Sequence, residues 1–199
     1  MRCVLFLLCV WSLTGAVTAA TPALEPIFNG RDLTGWKSED ADKFWRIENG
    51  VLIGESDSGL KESYLWTERS YTDFVLEFDV RWTGEIDSGV EFRTPHIQLQ
   101  LGVSRSLKRD MTGSFYVGPE LKYPESGQAK EAARLMHPEG EWNTFRLEAR
   151  GDTFSVWINR APAAGFVDTK FSGAGPLGLQ IHGGLKMKVE YRNIRAAAL

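Results

Sequence analysis

The sequence predicts an all-β domain, a sandwich of two antiparallel sheets. Beyond residue 25 the apolar side chains recur with a period of two rather than 3.6, and turn-forming residues interrupt them at short intervals. The chain has 199 residues, 43% of them hydrophobic and 12% aromatic, enough to bury a sizeable core in one domain. Roughly eleven short strands in one uninterrupted domain favour a two-sheet sandwich over a small barrel.

The elements follow in order. Residues 44–55 read FWRIENGVLIGE, with Asn49-Gly50 between two alternating runs. That dipeptide supplies the positive φ angles of a type I′ turn, so a hairpin is predicted here. Further strands are predicted at 64–67, 74–82, 89–93, 97–101, 114–117, 144–150, 153–159, 178–182 and 187–194. On 74–82 the residues Leu76, Phe78, Val80 and Trp82 share one side, while Glu77, Asp79 and Arg81 take the other. On 144–150, Phe145, Leu147 and Ala149 oppose Thr144, Arg146, Glu148 and Arg150. Residues 127–136 are rich in good helix formers and predict a helix. It lies in the long connection between Gly102 and Glu141, a candidate site-forming loop because such lengths are uncommon in compact domains. The sequence shows no internal repeat, and residues 25–199 read as a single domain.

The front of the chain, MRCVLFLLCVWSLTGAVTAA, has one charge at Arg2, an apolar run and closing small residues. It reads as a secretory signal peptide with cleavage after Ala20, too short and one-sided to span a bilayer. Export to the periplasm or medium is therefore expected, with no membrane span in the mature chain. Cys3 and Cys9 are the only cysteines and both lie in this leader, so the mature domain is expected to rest on its core rather than on disulfides. With 23 Lys+Arg against 26 Asp+Glu, the chain lacks the basic excess of a nucleic-acid-binding surface.

The same alternation singles out a polar face. In GVEFRTPHIQLQL, Val90 and Phe92 turn inward, which places Glu91 and Arg93 together on the other side. Past Pro95, Ile97, Leu99 and Leu101 turn inward and leave His96, Gln98 and Gln100 outward; in GPLGLQIHGG, Gln180 pairs with His182. Glu, Arg, His and Gln on one face offer the donors and acceptors that a polyhydroxylated ligand needs, although an ordinary solvated sheet face reads the same way. Of the tryptophans beyond the leader most are assigned to the core. Trp157 is the exception, because Phe154, Val156 and Ile158 claim the inner side of its strand.

Five segments, FNGRDLTGW, FWRIENGVLIGE, IDSGVEFR, PEGEWNTFRLEARGDTFSVWINR and GPLGLQIHGGLKMKVEYRNIR, occur in an order that resembles the 3-keto-disaccharide hydrolase domain family (DUF1080) over essentially residues 25–195. The resemblance implies a concanavalin A-like jelly-roll sandwich, export from a bacterium, and a sugar or keto-sugar ligand. The sequence also departs from the family pattern: PHIQL stands where members similar to it often read YEVQI, so His96 takes a position usually held by Glu. GSFYV stands where they read GALYG.

For a glycoside oxidised at carbon 3, the ketone acidifies the hydrogen on carbon 2. A base removes it, an enolate forms, the substituent on carbon 1 leaves, and water addition completes a net hydrolysis. On this chemistry the candidates are His96 or Glu91 as base, Arg93 and His182 as stabilisers of the oxyanion or substrate, and Gln98 and Gln180 as readers of hydroxyls. Trp157 is the candidate stacking residue. A divalent metal held by His96, Glu91 and His182 is the alternative stabiliser, though the chain has no compact ligand motif. Ordinary acetal hydrolysis would use paired carboxylates such as Glu77 and Asp79, about 6.6 Å apart along a strand. Arg81 follows them, so they read as a solvated outer face. The rival to an enzyme is a non-catalytic carbohydrate-binding module of the cell envelope that grips a glycan with the same face.

Overall fold

A computed structural model describes residues 22–199. The predicted leader, its cysteines and its cleavage point lie outside the described residues. In chain order the strands are β1 (Glu25–Pro26), β2 (Trp36–Lys37), β3 (Trp45–Glu48), β4 (Val51–Glu55), β5 (Ser63–Tyr71), β6 (Phe74–Trp82), β7 (Asp87–Phe92) and β8 (Ile97–Ser104). They continue as β9 (Arg109–Asp110), β10 (Phe115–Tyr116), β11 (Asn143–Arg150), β12 (Thr153–Ile158), β13 (Ala161–Val167), β14 (Gly175–Ile181) and β15 (Lys188–Ala198). The first sheet runs β13-β12-β11-β6-β15-β4-β3 with β1 on the edge of β15. The second runs β10-β8-β7-β14-β5-β2 with β9 beside β8. Neighbours in both sheets are antiparallel, as a jelly-roll sandwich requires.

The alternation read from the sequence decides which side of each strand is buried. Leu76, Phe78 and Val80 on β6, with Phe145, Leu147 and Ala149 on β11, form the inner face of the first sheet. Leu65, Val90, Phe92, Leu99, Leu101, Leu177, Leu179 and Ile181 form that of the second. Each large apolar side chain removed from water stabilises the fold by roughly 1.5–3 kcal/mol before ordering costs. Rings lock the sheets together: Phe92 meets Phe74 edge-on at 5.6 Å and Phe154 at 5.7 Å. Polar contacts also cross between the sheets: Ser88 Oγ lies 3.2 Å from the Tyr191 hydroxyl while donating to the Gln180 carbonyl, and Trp45 Nε1 donates to Ser63 Oγ at 3.1 Å. Burial pushes the Tyr191 phenol above its ordinary value, so it stays protonated.

The predicted hairpin is β3–β4, with Asn49 and Gly50 at φ 50° and 79°. Two local expectations are corrected. The helix expected over 127–136 shrinks to a 3₁₀ turn at Glu125–Gly127 and one α-turn at Ala132–Leu135, neither capped by a side chain. Ala129 and Ala132 are instead drawn into the core, and so short a segment gains little from intrinsic propensity. β13 was not predicted because APAAGFV carries Pro162 and small residues. It is tolerated as an edge strand, joined to β12 across a bulge at Val156/Trp157. Among the described residues no helix is long and apolar enough to cross a membrane.

Candidate functional site

The open face of the second sheet collects polar and aromatic side chains because its strands all turn their apolar residues to the core. In register, Trp66, Gly178, Glu91, Gln98 and Tyr116 lie side by side across β5, β14, β7, β8 and β10. Tyr64, Gln180, Gly89 and Gln100 form the next row. Two glycines keep this floor low. A Cβ on Gly89 would collide with the Gln98 amide, and one on Gly178 would collide with the Trp66 indole. The missing side chains let Gln98 reach over β7 and let Trp66 lie across β14.

The result is a hollow of about 240 Å³ lined by Glu62, Tyr64, Asp87, Glu91, Gln98, Gln100, Tyr116, Tyr123, Gln180 and His182, with Ser104, Arg105 and Ser106 at its edge. It falls below the roughly 300–1,000 Å³ typical of drug-sized sites and suits a single sugar ring. Hydrogen bonds run through it in one direction. Gln98 Nε2 donates to Gln180 Oε1 at 2.8 Å, and Gln180 Nε2 donates to the Tyr64 hydroxyl at 2.7 Å and to Glu62 Oε1 at 3.0 Å. The Tyr64 hydroxyl donates in turn to Glu91 Oε1 at 3.0 Å. The second Glu91 oxygen lies 2.8 Å from His96 Nδ1. Beside this chain, Gln100 Nε2 donates to Asp87 Oδ1 at 2.8 Å, and the Tyr123 hydroxyl donates to Gln100 Oε1 at 2.9 Å. The long loop therefore closes over one side of the face.

Burial, reinforced by the Glu91 and Glu62 carboxylates, raises the Tyr64 phenol well above its ordinary value. Burial does the same for Tyr123. Both stay protonated and act as donors. Glu91 is 16% exposed and His96 44%, so the carboxylate sits at the rim of the hollow and the imidazole outside it.

Glu91, Gln98, Gln180 and His182 thus line one hollow, with His96 on its lip; the His182 Nδ1 lies 2.8 Å from the Gly183 carbonyl. Two candidates fall elsewhere. Arg93 is not on this face: β7 ends at Phe92, Arg93 takes φ 64°, and the break in alternation turns its guanidinium inward. There it is 1% exposed, donates to the Phe171 carbonyl at 2.9 Å and to Asp73 Oδ1 at 3.0 Å, and packs over Phe154 at 5.4 Å. Trp157 does point away from the core, as predicted, but β12 belongs to the first sheet. It stands over Arg146 on the opposite side of the molecule from Glu91. Strand parity assigns a side chain to a face but not to a sheet.

Sequence reading missed Asp87, Glu62, Tyr64, Trp66, Tyr116 and Tyr123. Parity gave a usable signal for three. Asp87 shares the side of Glu91 four positions on, and buried Leu65 sends Tyr64 and Trp66 outward. Tyr123 comes from the loop, where no period exists to read. For a divalent cation, three ligand-type side chains must reach one point. Among the described residues no such group of His, Cys, Asp or Glu is assembled, so the trio Glu91, His96 and His182 does not fit the ion as placed.

Comparison with known proteins bears on this geometry. A family model described as a 3-keto-alpha-glucoside-1,2-lyase-like domain matches residues 23–197. A search of curated proteins finds no significant match. Among solved structures, a "putative glycosyl hydrolase" from Parabacteroides distasonis aligns with TM-score 0.69 at 19% identity, over 89% of this chain and 100% of that one. A second protein so described from the same organism gives 0.64 at 23% identity, over 88% and 94%. Carbohydrate-binding module CBM66 from Bacillus subtilis gives 0.62 at 17% identity, over 82% and 96%. These likenesses establish the jelly-roll fold.

Proposed function

This chain belongs to the family of 3-keto-alpha-glucoside-1,2-lyase-like domains, and from that premise we propose that it is an exported carbohydrate-active enzyme that cleaves 3-keto-glycosides. The observation that carries the reading is the Glu91 carboxylate, held by the Tyr64 hydroxyl on one oxygen and facing His96 on the other, at the rim of a ring-sized hollow floored by glutamines.

The oxidised ring lies in the hollow with carbon 2 toward Glu91. Glu91 takes the proton, the C2–H electrons form a C2=C3 double bond, and the ketone oxygen becomes an enolate. The enolate re-forms the ketone, the double bond moves to C1=C2, and the C1–O bond breaks with its electrons on the departing oxygen. His96, in contact with Glu91, delivers a proton to that oxygen. Water then adds across C1=C2, placing hydroxyl on carbon 1 and returning hydrogen to carbon 2, so the net change is hydrolysis. His182 and the loop-held Tyr123 and Arg105 supply the positive or donor groups that a developing enolate needs. Gln98 and Gln180 read ring hydroxyls from a preorganised position, since their amides already hold one another.

The second reading is a binding module without chemistry, favoured by the floor of neutral amides, each held by partners before any ligand arrives. One experiment separates the two: incubate the protein, Glu91→Ala and His96→Ala with a 3-keto-disaccharide and follow release of 3-keto-glucose. The enzyme reading expects turnover by the unaltered chain and its loss in both variants. Saturable glycan binding with no product would leave only the module.

A further inference from the structure

A second depression, about 600 Å³, runs from the hollow toward the edge strand β2 and shares Glu62 and Tyr64 with it. Its lining also includes Lys37, Ser38, Glu39, Asp40 and Trp66. The two spaces form one trough with Tyr64 as the step between them, and the outer part is more than twice the size of the inner.

Trp66 is built into this trough rather than stranded on the surface. Gly178 beneath it lacks the Cβ that would lift the indole off β14. The Tyr64 ring lies nearly parallel to it, centroids 5.1 Å apart at 18°. The His96 ring follows at 5.1 Å, tilted by 47°, and His96 in turn faces Glu91. The indole floor therefore ends beside the group that protonates the departing oxygen. The charges around it are uneven: Glu39, Asp40 and Glu62 stand against Lys37 alone in the lining, and Asp40 is held as a carboxylate by its hydrogen bond to Lys43 just outside.

We propose that this outer trough is the subsite for the leaving group, and that it selects an uncharged ring, the second sugar of a 3-keto-disaccharide, stacked on Trp66. The apolar face of a pyranose matches the indole, and a ring seated there carries its glycosidic oxygen past His96. A small alkyl leaving group would leave the indole bare. A carboxylate- or phosphate-bearing one would meet the Glu39 and Glu62 carboxylates at the wall. The inference deepens the catalytic reading above and rests on it.

The test compares three 3-keto-glucosides, with glucose, a methyl group or glucuronic acid as the leaving group, on the unaltered protein, Trp66→Ala and Trp66→Phe. The expected result is that kcat/KM for the disaccharide relative to the methyl glycoside falls about ten-fold in Trp66→Ala and recovers in Trp66→Phe, with the glucuronide the poorest substrate of the unaltered protein. An unchanged ratio in Trp66→Ala, or a glucuronide preferred over the disaccharide, would overturn the subsite. Gly178→Ala serves as a second variant, since it displaces the indole without removing it; the same fall in ratio is expected. A protein that turns over none of the three defeats the catalytic reading instead. The trough is then judged by calorimetry with the unoxidised disaccharide and with glucose: a preference for the disaccharide that vanishes in Trp66→Ala upholds it, and equal affinities sink it.

Discussion

The outer faces of the two sheets carry polar side chains at the same alternate positions, yet they are wired differently. On β6, β11 and β15 of the first sheet every carboxylate has a cation. Glu77 is paired with Arg195 and Arg146, Asp79 with Arg192, Glu148 with Arg146 and Arg150, and Glu190 with Arg81 and Lys188. Burial pushes the Glu190 carboxyl upward, but the Lys188 and Arg81 hydrogen bonds outweigh it and hold the group ionised. Trp142 is occupied too, lying between the guanidinium groups of Arg81 at 4.6 Å and Arg192 at 4.1 Å. On the second sheet, Glu91 meets a phenol and an imidazole, and the amides meet one another. A face whose charges are matched by cations is a finished surface. A carboxylate held only by groups that can donate or exchange a proton remains available to a ligand.

The largest effect that would sharpen this contrast is catalytic. Glu91→Gln is expected to lower turnover of a 3-keto-glycoside by about 10²–10⁴-fold, whereas Glu77→Gln on the other sheet leaves turnover intact and costs about 1 kcal/mol of stability or less. Steady-state kinetics and urea melts on both variants check it, and equal activity losses would erase the distinction. Next is Arg93, which belongs to neither outer face. Arg93→Met is expected to destabilise the fold by about 2–3 kcal/mol by removing the buried partner of Asp73 and the Phe171 carbonyl, with glycan affinity retained below the melting transition. Weakened binding in a fully folded variant would return Arg93 to the site. Smaller still, Trp157→Ala is expected to change glycan affinity by no more than about two-fold, because its indole stands over Arg146 on the far sheet. A larger loss, read by titration calorimetry, would move binding to the wrong face.

The smallest effect lies in the turn after β1. Asn29 and Thr34 hydrogen bonds hold the Asp32 carboxyl at about 2, below its ordinary 3.8. A depressed value stabilises the fold above pH 3.8, and that contribution fades as pH falls toward 2. Urea melts between pH 5 and 2 should therefore show a shallower acid loss for Asp32→Asn than for the unaltered chain, and parallel curves would discount the contact.

Much of this architecture was legible in the sequence because a strand's period fixes a face without reference to anything distant. That sufficed for β6, β8, β11 and the Asn49-Gly50 turn, and it brought Glu91, Gln98, Gln180 and His182 to one side correctly. It failed where the period breaks or where the partner sheet matters. Arg93 sits one residue beyond the end of β7, where a left-handed backbone angle reverses its direction. Trp157 was given the right face of a strand in the other sheet. Tyr123 reaches Gln100 from a loop whose course is set by tertiary packing, and β13 forms from small residues because an edge strand asks little of its side chains.

The two absent side chains at Gly89 and Gly178 have a consequence for how this surface can change. Each acts as a removed shim under a larger group, the Gln98 amide in one case and the Trp66 indole in the other. Adding one carbon at Gly178 would lift the indole without touching a hydrogen-bonding group, whereas one at Gly89 would push the Gln98 amide off its bond to Gln180. A single-methyl step at Gly178 therefore reshapes the stacking platform while the groups around Glu91 stay as they are, and the same step at Gly89 rewires the amides that lead to Glu91.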